Sequence, residues 1–340
     1  MRIGIVNDMA LAREALRRVV ESNPSYHVAW MAEDGASAVR LAASDRPDAI
    51  LMDLVMPGMD GAEATRQIMA RSPCPILIVT STVAGNYSLV LQAMGHGGLD
   101  AIHTPEGACG GTSLRGQELL ARLARLERAK NMPLTCARPL PLPPARTDST
   151  LNPLLVLGAS TGGPEALATV LSHLPARFPF GVLVVQHISA EFGPNLVSWL
   201  GSRLKLPVEI ARAGETPHQG FVSVAVSNDH LVLDAQHRFR YTVEPRDDPY
   251  RPSVNALFES LALHWSTPGI GVLLTGMGQD GARGLGMLRQ QGWLTIAQSE
   301  CSCVVYGMPR AAVECNAASR VLPLHHIGPA IVARCSCNQH

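Results

Sequence analysis

The sequence predicts two α/β domains, each built on a mostly parallel sheet, and three observations support this fold class. Short β-branched runs alternate with helical patterns along most of the chain, as in successive βα units. The alternation stops in the proline-rich stretch KNMPLTCARPLPLPPARTDSTLNP, which is typical of an extended connector. A length of 340 residues also exceeds the usual size of one domain. We therefore predict domains over residues 1–129 and 153–340, joined by a linker over 130–152.

The first domain contains five predicted strands, which read RIGIVN, HVAWMA, DAILMD, PILIVTS and DAIHT. Helical patterns lie between them. In LAREALRRVVES the apolar residues of one face recur at helical spacing, namely Leu11, Ala15, Leu16, Val19 and Val20. Right-handed crossovers between five such units give a parallel sheet with helices on both faces.

Polar side chains end three of these strands. Asp8 follows the first strand, Asp53 the third and Thr80 the fourth. Because the carboxyl ends of parallel strands meet at one edge of a sheet, these side chains are expected to lie together. A single aspartate there is often only a cap of the next helix or turn. Gathered carboxylates instead suit Mg²⁺, so we predict a magnesium site with Asp8 and Asp53 as ligands.

The second domain contains seven predicted strands, LLVLGAS, GVLVVQHI, FVSVAV, HLVLD, FRYTV, GVLLTG and LTIAQ. Helical segments are predicted near 164–174, 191–203, 252–265 and 280–291. We predict a doubly wound, mostly parallel α/β fold with a small antiparallel insertion around 221–243.

A serine lies in the turn after the first of these seven strands. The chain reads LLVLGASTGGP from Leu154 to Pro164, so Ser160 stands beside the free N–H groups that open the next helix. Turns of this kind also bind phosphate groups, which makes nucleotide binding a competing interpretation. Against it, GxxxGG differs from the dinucleotide motif GxGxxG, and Gln186 and His187 stand where that motif needs an acidic residue.

A histidine and an aspartate follow two other strands of the second domain. His187 ends VLVVQHIS, and Asp280 lies in TGMGQDGARG. Taken singly, they read most simply as a surface or core histidine and a helix cap. With Ser160, however, they supply the nucleophile, the base and the carboxylate that orients the base in acyl transfer. This chemistry needs no cofactor.

Candidate donors to an oxyanion are the N–H groups of Thr161 and Gly162 and the loop that carries Met277.

Composition excludes several classes of function. The chain carries 28 basic and 28 acidic residues with no long run of one sign, so nucleic-acid binding is disfavoured. No apolar stretch is long enough to cross a membrane, and the N-terminus begins with a strand pattern rather than a signal peptide. The eight cysteines form no CxxC pair, and we expect free thiols. A cytoplasmic location is predicted.

Residues 1–129 resemble a response-regulator receiver domain, which implies a flavodoxin-like (βα)5 fold. Asp53, followed by MPGMDG, matches the phosphoacceptor of that family. Asp8 matches a ligand of its Mg²⁺, and Thr80 matches its switch hydroxyl. The resemblance implies that a CheA-type histidine kinase phosphorylates Asp53 with Mg²⁺ bound at Asp8 and Asp53.

Two positions depart from the receiver pattern. Asn7 stands where the family usually has the first of two acidic residues, and Thr104 stands where it has a lysine. No lysine precedes Lys130. A neutral hydroxyl cannot replace a cation beside a phosphate dianion, so we expect weaker Mg²⁺ binding and altered switching.

The second domain resembles the catalytic domain of the chemotaxis protein-glutamate methylesterase family, CheB. The blocks GASTGGP, QHI, RPSVN, TGMGQDGARG and AQSECSCVVYGMP carry this resemblance in the family's order. Ser160, His187 and Asp280 fall on the family's catalytic residues. The resemblance implies hydrolysis of glutamate γ-methyl esters on the cytoplasmic helices of methylated chemoreceptors, with release of methanol, and deamidation of receptor glutamines.

The opening RIGIVNDM and the missing lysine are closer to the WspF-like branch of this family, which serves a surface-sensing pathway. The alternative function is a regulatory or docking protein of a chemosensory array whose receiver no longer switches. Asn7 and Thr104 favour that alternative, whereas the assembled Ser160, His187 and Asp280 favour an enzyme.

Overall fold

The computed structural model describes residues 1–80, 87–105, 113–132 and 151–336, which belong to two compact units divided after Met132. Residues 133–150, most of the predicted linker, lie outside the described residues. Each unit has its own sheet and its own hydrophobic core. No helix among the described residues has the length and apolar character needed to cross a membrane.

The first unit is a five-stranded parallel sheet in the order β2-β1-β3-β4-β5. Its strands are β1 (Arg2–Val6), β2 (His27–Ala32), β3 (Ala49–Met52), β4 (Ile76–Thr80) and β5 (Gly98–His103). Its helices are α1 (Ala10–Glu21), α2 (Gly35–Ser44), α3 (Gly61–Arg71), α4 (Tyr87–Gly95) and α5 (Leu114–Asn131). All five strands that the sequence predicts are present, with ends that differ by at most two residues.

Local sequence explains where these helices begin and end. Asp34 caps α2 by accepting the Ser37 N–H at 2.7 Å, and Asp60 caps α3 by accepting the Glu63 N–H at 2.8 Å. Helix α5 includes Lys130 and Asn131, which the sequence places in the linker. Basic side chains favour a helix C-terminus, so the last turn of α5 extends to them.

The second unit contains a seven-stranded parallel sheet in the order β14-β13-β12-β6-β7-β9-β8. The parallel strands are β6 (Leu154–Ala159), β7 (Gly181–Gln186), β8 (Val208–Ile210), β9 (Val222–Val224), β12 (Ile270–Leu273), β13 (Leu294–Gln298) and β14 (Arg320–Leu322). An antiparallel pair, β10 (His230–Leu233) and β11 (Phe239–Thr242), forms a separate two-stranded sheet. The helices are α6 (Gly163–Ser172), α7 (Gly193–Gly201), α8 (Val254–His264), α9 (Ala282–Gln290), α10 (Met308–Glu314) and α11 (Leu324–Ser336).

These sheets confirm the predicted fold class. The antiparallel insertion is shorter than predicted. Strand β9 lies inside the region predicted as antiparallel but pairs parallel with both β7 and β8. Among the described strands, only β10 and β11 are antiparallel, because the tight turn at 234–238 reverses the chain between them.

Four elements of the second unit were not predicted from the sequence, namely β8, β14, α10 and α11. The expectation of free thiols is wrong for Cys315, which is disulfide-bonded.

The strand order reverses at the centre of the larger sheet. From β6 the chain first builds outward through β7, and it later returns to the other side of β6 with β12. The loops after β6 and β12 therefore leave the sheet edge in opposite directions and open a crevice between them. Ligands of doubly wound sheets bind in this crevice, so the residues after β6, β7 and β12 are the candidate site residues.

Helix α8 packs closely on α9 in the core of this unit. Phe258 of α8 is fully buried, and a Cβ placed on Gly284 of α9 would lie 2.6 Å from the Phe258 Cβ. The two helices approach this closely because Gly284 has no side chain.

Replacing Phe258 by alanine is expected to destabilise the second unit by about 3–5 kcal/mol, because it leaves a cavity in a close-packed core. Leu263→Ala on the same helix removes a side chain that is 43% exposed and should cost less than about 1 kcal/mol. Urea unfolding followed by circular dichroism measures both. Equal losses for the two variants would contradict this packing.

Candidate active site

The three residues predicted for acyl transfer come from strands at the centre of the larger sheet. Ser160 follows β6 and His187 follows β7; these strands pair parallel, with Ala159 opposite Gln186. The His187 N–H donates to the Ala159 carbonyl at 3.0 Å, which continues the pairing to the sheet edge. Asp280 follows β12 on the other side of β6.

Ser160 is held by its backbone on two sides. Its N–H donates to the Thr275 carbonyl at 3.0 Å, and its carbonyl accepts the Gln186 side-chain amide at 2.8 Å. Its carbonyl also accepts the Gly163 N–H at 2.8 Å, which closes the turn into α6. Gly162 has a φ of +77°, a conformation that favours glycine. Glycines thus form the tight turn that presents a 5% exposed Ser160 at the sheet edge.

His187 and Asp280 are joined directly. The Nε2 atom of His187 lies 2.8 Å from Oδ2 of Asp280. The side chain of His187 is 12% exposed and that of Asp280 is fully buried. Because a carboxylate only accepts hydrogen bonds, the proton in this contact belongs to His187 Nε2. Nδ1 is then the nitrogen of the neutral ring that is able to take a proton.

Asp280 is buried among hydrogen-bond donors. Ser253 Oγ and the Asn255 N–H each donate to Oδ1 at 2.9 Å, and the Val254 N–H donates to Oδ2 at 2.6 Å. The Gly281 N–H adds a further bond at 2.9 Å. Ser253 caps α8, so the positive end of that helix faces the carboxylate.

The pKa of Asp280 lies below its ordinary value. Burial alone raises the pKa of a carboxyl group, but here the hydrogen bond and charge of His187 and the N–H groups of Asn255 and Val254 outweigh burial. Asp280 is therefore ionised where it accepts the hydrogen bond from His187 Nε2.

The three candidate oxyanion residues lie in the loops beside Ser160. Among the described residues, no protein acceptor binds the backbone N–H groups of Thr161, Gly162 or Met277. Thr161 is fully buried, and its carbonyl accepts the Thr275 hydroxyl at 2.9 Å. The loops after β6 and β12 therefore carry N–H groups that are available to an anionic ligand.

Sequence reasoning missed several residues that support this site. Gln186 holds the Ser160 carbonyl, Ser253 donates to Asp280, and Tyr250 stacks on His187. Ser253 had a recognisable signal, because a serine that precedes an apolar helical pattern in RPSVN reads as a helix cap. The contacts of Gln186 and Tyr250 join residues that no local pattern connects.

The first unit brings together the residues predicted for the magnesium site. The side-chain amide of Asn7 donates to Asp53 Oδ2 at 2.8 Å, and the Leu54 N–H donates to Oδ1 at 2.8 Å. The Met9 N–H donates to Asn7 Oδ1 at 2.9 Å, which fixes the orientation of the amide. Burial raises the pKa of Asp53 to about 6, the Asp8 charge adds to this effect, and the Leu54 N–H opposes it.

Two hydroxyl residues lie at the same edge of this sheet. Thr80 ends β4 and is buried, and its carbonyl accepts the Thr104 N–H at 3.0 Å. Thr104 is also buried, and its hydroxyl has no partner among the described residues. Asp8 and Asp53 supply the oxygen ligands that Mg²⁺ prefers, and a cation would relieve the repulsion between them. The residues present therefore fit the ion, with Asn7 in place of a further carboxylate.

Fold and site together define the class of this protein: a receiver-like sheet with a buried aspartate, followed by a doubly wound domain with a serine, histidine and aspartate at its switch point. Residues 3–108 match the response regulator receiver domain family, and residues 155–331 match the CheB methylesterase family.

Comparison with known proteins gives the particular family. The chain is 48% identical to protein-glutamate methylesterase/protein-glutamine glutaminase 2 of Cupriavidus metallidurans, over 98% of each chain. It is 48% identical to the corresponding protein 4 of Burkholderia thailandensis, over 98% of this chain and 97% of that one. The catalytic domain of Thermotoga maritima CheB methylesterase superposes with a TM-score of 0.51 at 34% identity, covering 54% of this chain and 99% of that one. The chain belongs to the protein-glutamate methylesterase/protein-glutamine glutaminase family of response regulators.

Replacing Asp53 by asparagine is expected to stabilise the receiver domain at pH 7.5 by about 2–3 kcal/mol. The pKa of Asp53 is near 6 in the folded state and near its ordinary value of about 3.9 in the unfolded chain, so this group lowers the free energy of unfolding as pH rises from about 4 to 6 and adds no further change above pH 6. The difference should shrink as pH falls from 6 to 4, where wild type and variant converge. Thermal unfolding in EDTA at pH 4.5 and 7.5 measures it, and a difference that does not depend on pH would contradict this assignment.

Proposed function

We propose that this chain hydrolyses γ-methyl esters of glutamate on the cytoplasmic helices of chemoreceptors, with Ser160, His187 and Asp280 as the catalytic triad. The observation that carries the proposal is the bond between His187 and a buried, ionised Asp280 at the strand end beside Ser160. The family's reaction is ester and amide hydrolysis on protein side chains, which is the chemistry of such a triad. The reaction takes place in the cytoplasm, where the receptor helices lie.

The reaction begins with proton transfer from the serine. His187 Nδ1 takes the proton of Ser160 Oγ while Oγ attacks the ester carbonyl carbon, and Asp280 stabilises the imidazolium through Nε2. The oxyanion that forms accepts hydrogen bonds from N–H groups of Thr161, Gly162 or the Met277 loop.

Collapse of this intermediate releases methanol, which takes the proton back from His187, and leaves a glutamyl ester on Ser160. Water then attacks the ester carbonyl while His187 takes its proton; the bond to Ser160 Oγ breaks, His187 returns the proton to Oγ, and glutamate is released. A glutamine side chain follows the same steps with ammonia as the leaving group, which accounts for the deamidation activity we propose alongside.

The receiver regulates this reaction in the proposal. A CheA-type histidine kinase donates a phosphoryl group to Asp53, and Asp8 and Asp53 would hold a Mg²⁺ ion, which would supply positive charge for the phosphoryl oxygens. Thr80 and Thr104 supply hydroxyls at this edge, and Asn7 replaces one carboxylate. The signal then sets the rate of receptor demethylation and hence adaptation of a chemosensory pathway.

A second candidate function is that of a regulatory or docking protein of a chemosensory array. The observation that favours it is the pair Asn7 and Thr104: one of the family's acidic ligands is replaced by an amide, and a neutral hydroxyl stands where the family has a lysine. Under this alternative the chain binds receptor or kinase and its output does not depend on Asp53.

Replacing Ser160 by alanine is expected to abolish methanol release from methylated receptor membranes, because it removes the hydroxyl that attacks the ester. Asp280→Asn should lower kcat by about 10⁴, the loss seen when a triad loses its orienting carboxylate. Gas chromatography of methanol, with and without acetyl phosphate, measures both. Hydrolysis retained in Ser160→Ala would end the proposal, and a phosphodonor response retained in Asp53→Asn would remove Asp53 from regulation.

Replacing Asn7 by aspartate is expected to tighten Mg²⁺ binding about tenfold or more, because it adds a carboxylate within hydrogen-bond distance of Asp53. The same change should lower the melting temperature in EDTA, since two buried like charges then face each other. Isothermal titration calorimetry with MgCl₂ measures affinity. Asn23→Asp, which makes the same charge change elsewhere, is the matched control; equal affinities for both variants would show that residue 7 is not at the ion.

A further inference from the structure

An aromatic ring lies against one face of His187. The rings of Tyr250 and His187 stack with centroids 5.0 Å apart and planes inclined by 15°. Asp280 holds the same imidazole at one edge through Nε2. The histidine is thus constrained in two directions, by a carboxylate in its plane and by an aromatic face above it.

Backbone contacts fix the position of Tyr250. Its N–H donates to Asp248 Oδ1 at 2.9 Å. Its hydroxyl lies against Gly278, where a Cβ would come within 1.8 Å of Oη, and Gly278 has a φ of +82°. Tyr250 therefore lies between His187 and the loop that carries Asp280.

The ring of Tyr250, and not its hydroxyl, makes the contact with the histidine. Oη is buried without a hydrogen-bond partner among the described residues. Burial raises the pKa of this phenol, and the charge of Asp280 adds to the effect, so Tyr250 stays neutral. A neutral aromatic ring gives the imidazole a flat surface to pack against. Its face also carries the negative part of the ring quadrupole, which attracts a cation.

A single hydrogen bond does not fix an imidazole. The χ2 torsion of histidine is broad, so a ring held at Nε2 alone still swings about its attachment. A ring stacked on one face removes most of this freedom. Small displacements of a reacting group cost up to about 100-fold in rate, so this restraint bears directly on proton transfer.

We propose that Tyr250 is a positioning residue for His187, closing one face of the imidazole so that Nδ1 stays directed at the Ser160 hydroxyl. Its π-face also stabilises the imidazolium that forms when the proton moves from Ser160 Oγ to Nδ1. This inference rests on the proposed function of Ser160 and His187. It assigns Tyr250 to the rate of the chemical step and not to binding of the receptor helix.

The test compares Tyr250→Leu, Tyr250→Met and Tyr250→Phe in the full chain. The first two lose the ring and should lower kcat about 10- to 100-fold with KM within about twofold. Tyr250→Phe keeps the ring and should stay within about threefold of wild type, with an unchanged or higher melting temperature because it removes an unpartnered buried hydroxyl. Phe221→Leu is the matched control, since Phe221 contacts His218 with centroids 6.0 Å apart outside the site.

Two readouts separate failure of this inference from failure of the proposed function. The rate at which a fluorophosphonate labels Ser160 reports nucleophile activation without any receptor, and methanol release reports turnover of the ester. Wild type labelled at Ser160 but unable to release methanol would overturn the proposed substrate, while labelling rates of the variants would still decide the role of Tyr250. Wild-type labelling rates in folded Tyr250→Leu and Tyr250→Met, or an equal loss in Tyr250→Phe, would overturn the positioning role.

Discussion

The arrangement of the esterase site depends on one buried negative charge, the carboxylate of Asp280. Removing a carboxylate from water costs several kcal/mol, and it stays ionised only if other groups replace the water. Five donors do so here: His187 Nε2, Ser253 Oγ and the N–H groups of Val254, Asn255 and Gly281. Three of them belong to the start of α8, whose dipole favours an anion at that end. Helix α8 thus stabilises the charge that orients His187.

The same segment links this charge to the rest of the site. Residues 248–255 provide the ring that covers His187 and the donors that hold Asp280. The sheet provides the other half, because the strand order reverses beside β6 and brings Ser160 and Asp280 to facing loops. The N-terminus of α8 and the strand order of the larger sheet therefore both determine the surroundings of His187. In the receiver, burial outweighs the hydrogen bonds that the Asn7 amide and the Leu54 N–H donate to the corresponding buried carboxyl group, Asp53, so its pKa rises.

Much of this architecture is predictable from the sequence because continuous β-branched runs mark buried parallel strands. The runs that became β6 and β13 are predicted to within one residue of their observed ends. Strand β8 was missed since it has only three residues, all half-buried, and α11 was missed since Pro329 interrupts its pattern. Ser160, His187 and Asp280 were predicted together because each ends or closely follows a predicted strand. Tyr250 was not, since its contact with His187 spans many residues and appears only when the chain is folded.

The orientation of His187 is open to one direct measurement. Because Asp280 accepts a hydrogen bond from Nε2, the neutral imidazole carries its hydrogen on Nε2 and none on Nδ1. Two-bond ¹⁵N–¹H correlation spectra of histidine-labelled protein at neutral pH distinguish the two nitrogens, with His187 identified by comparison with His187→Gln. We expect wild type to show the shift of a protonated Nε2 and of an unprotonated Nδ1. A proton on Nδ1 and a bare Nε2 would contradict it.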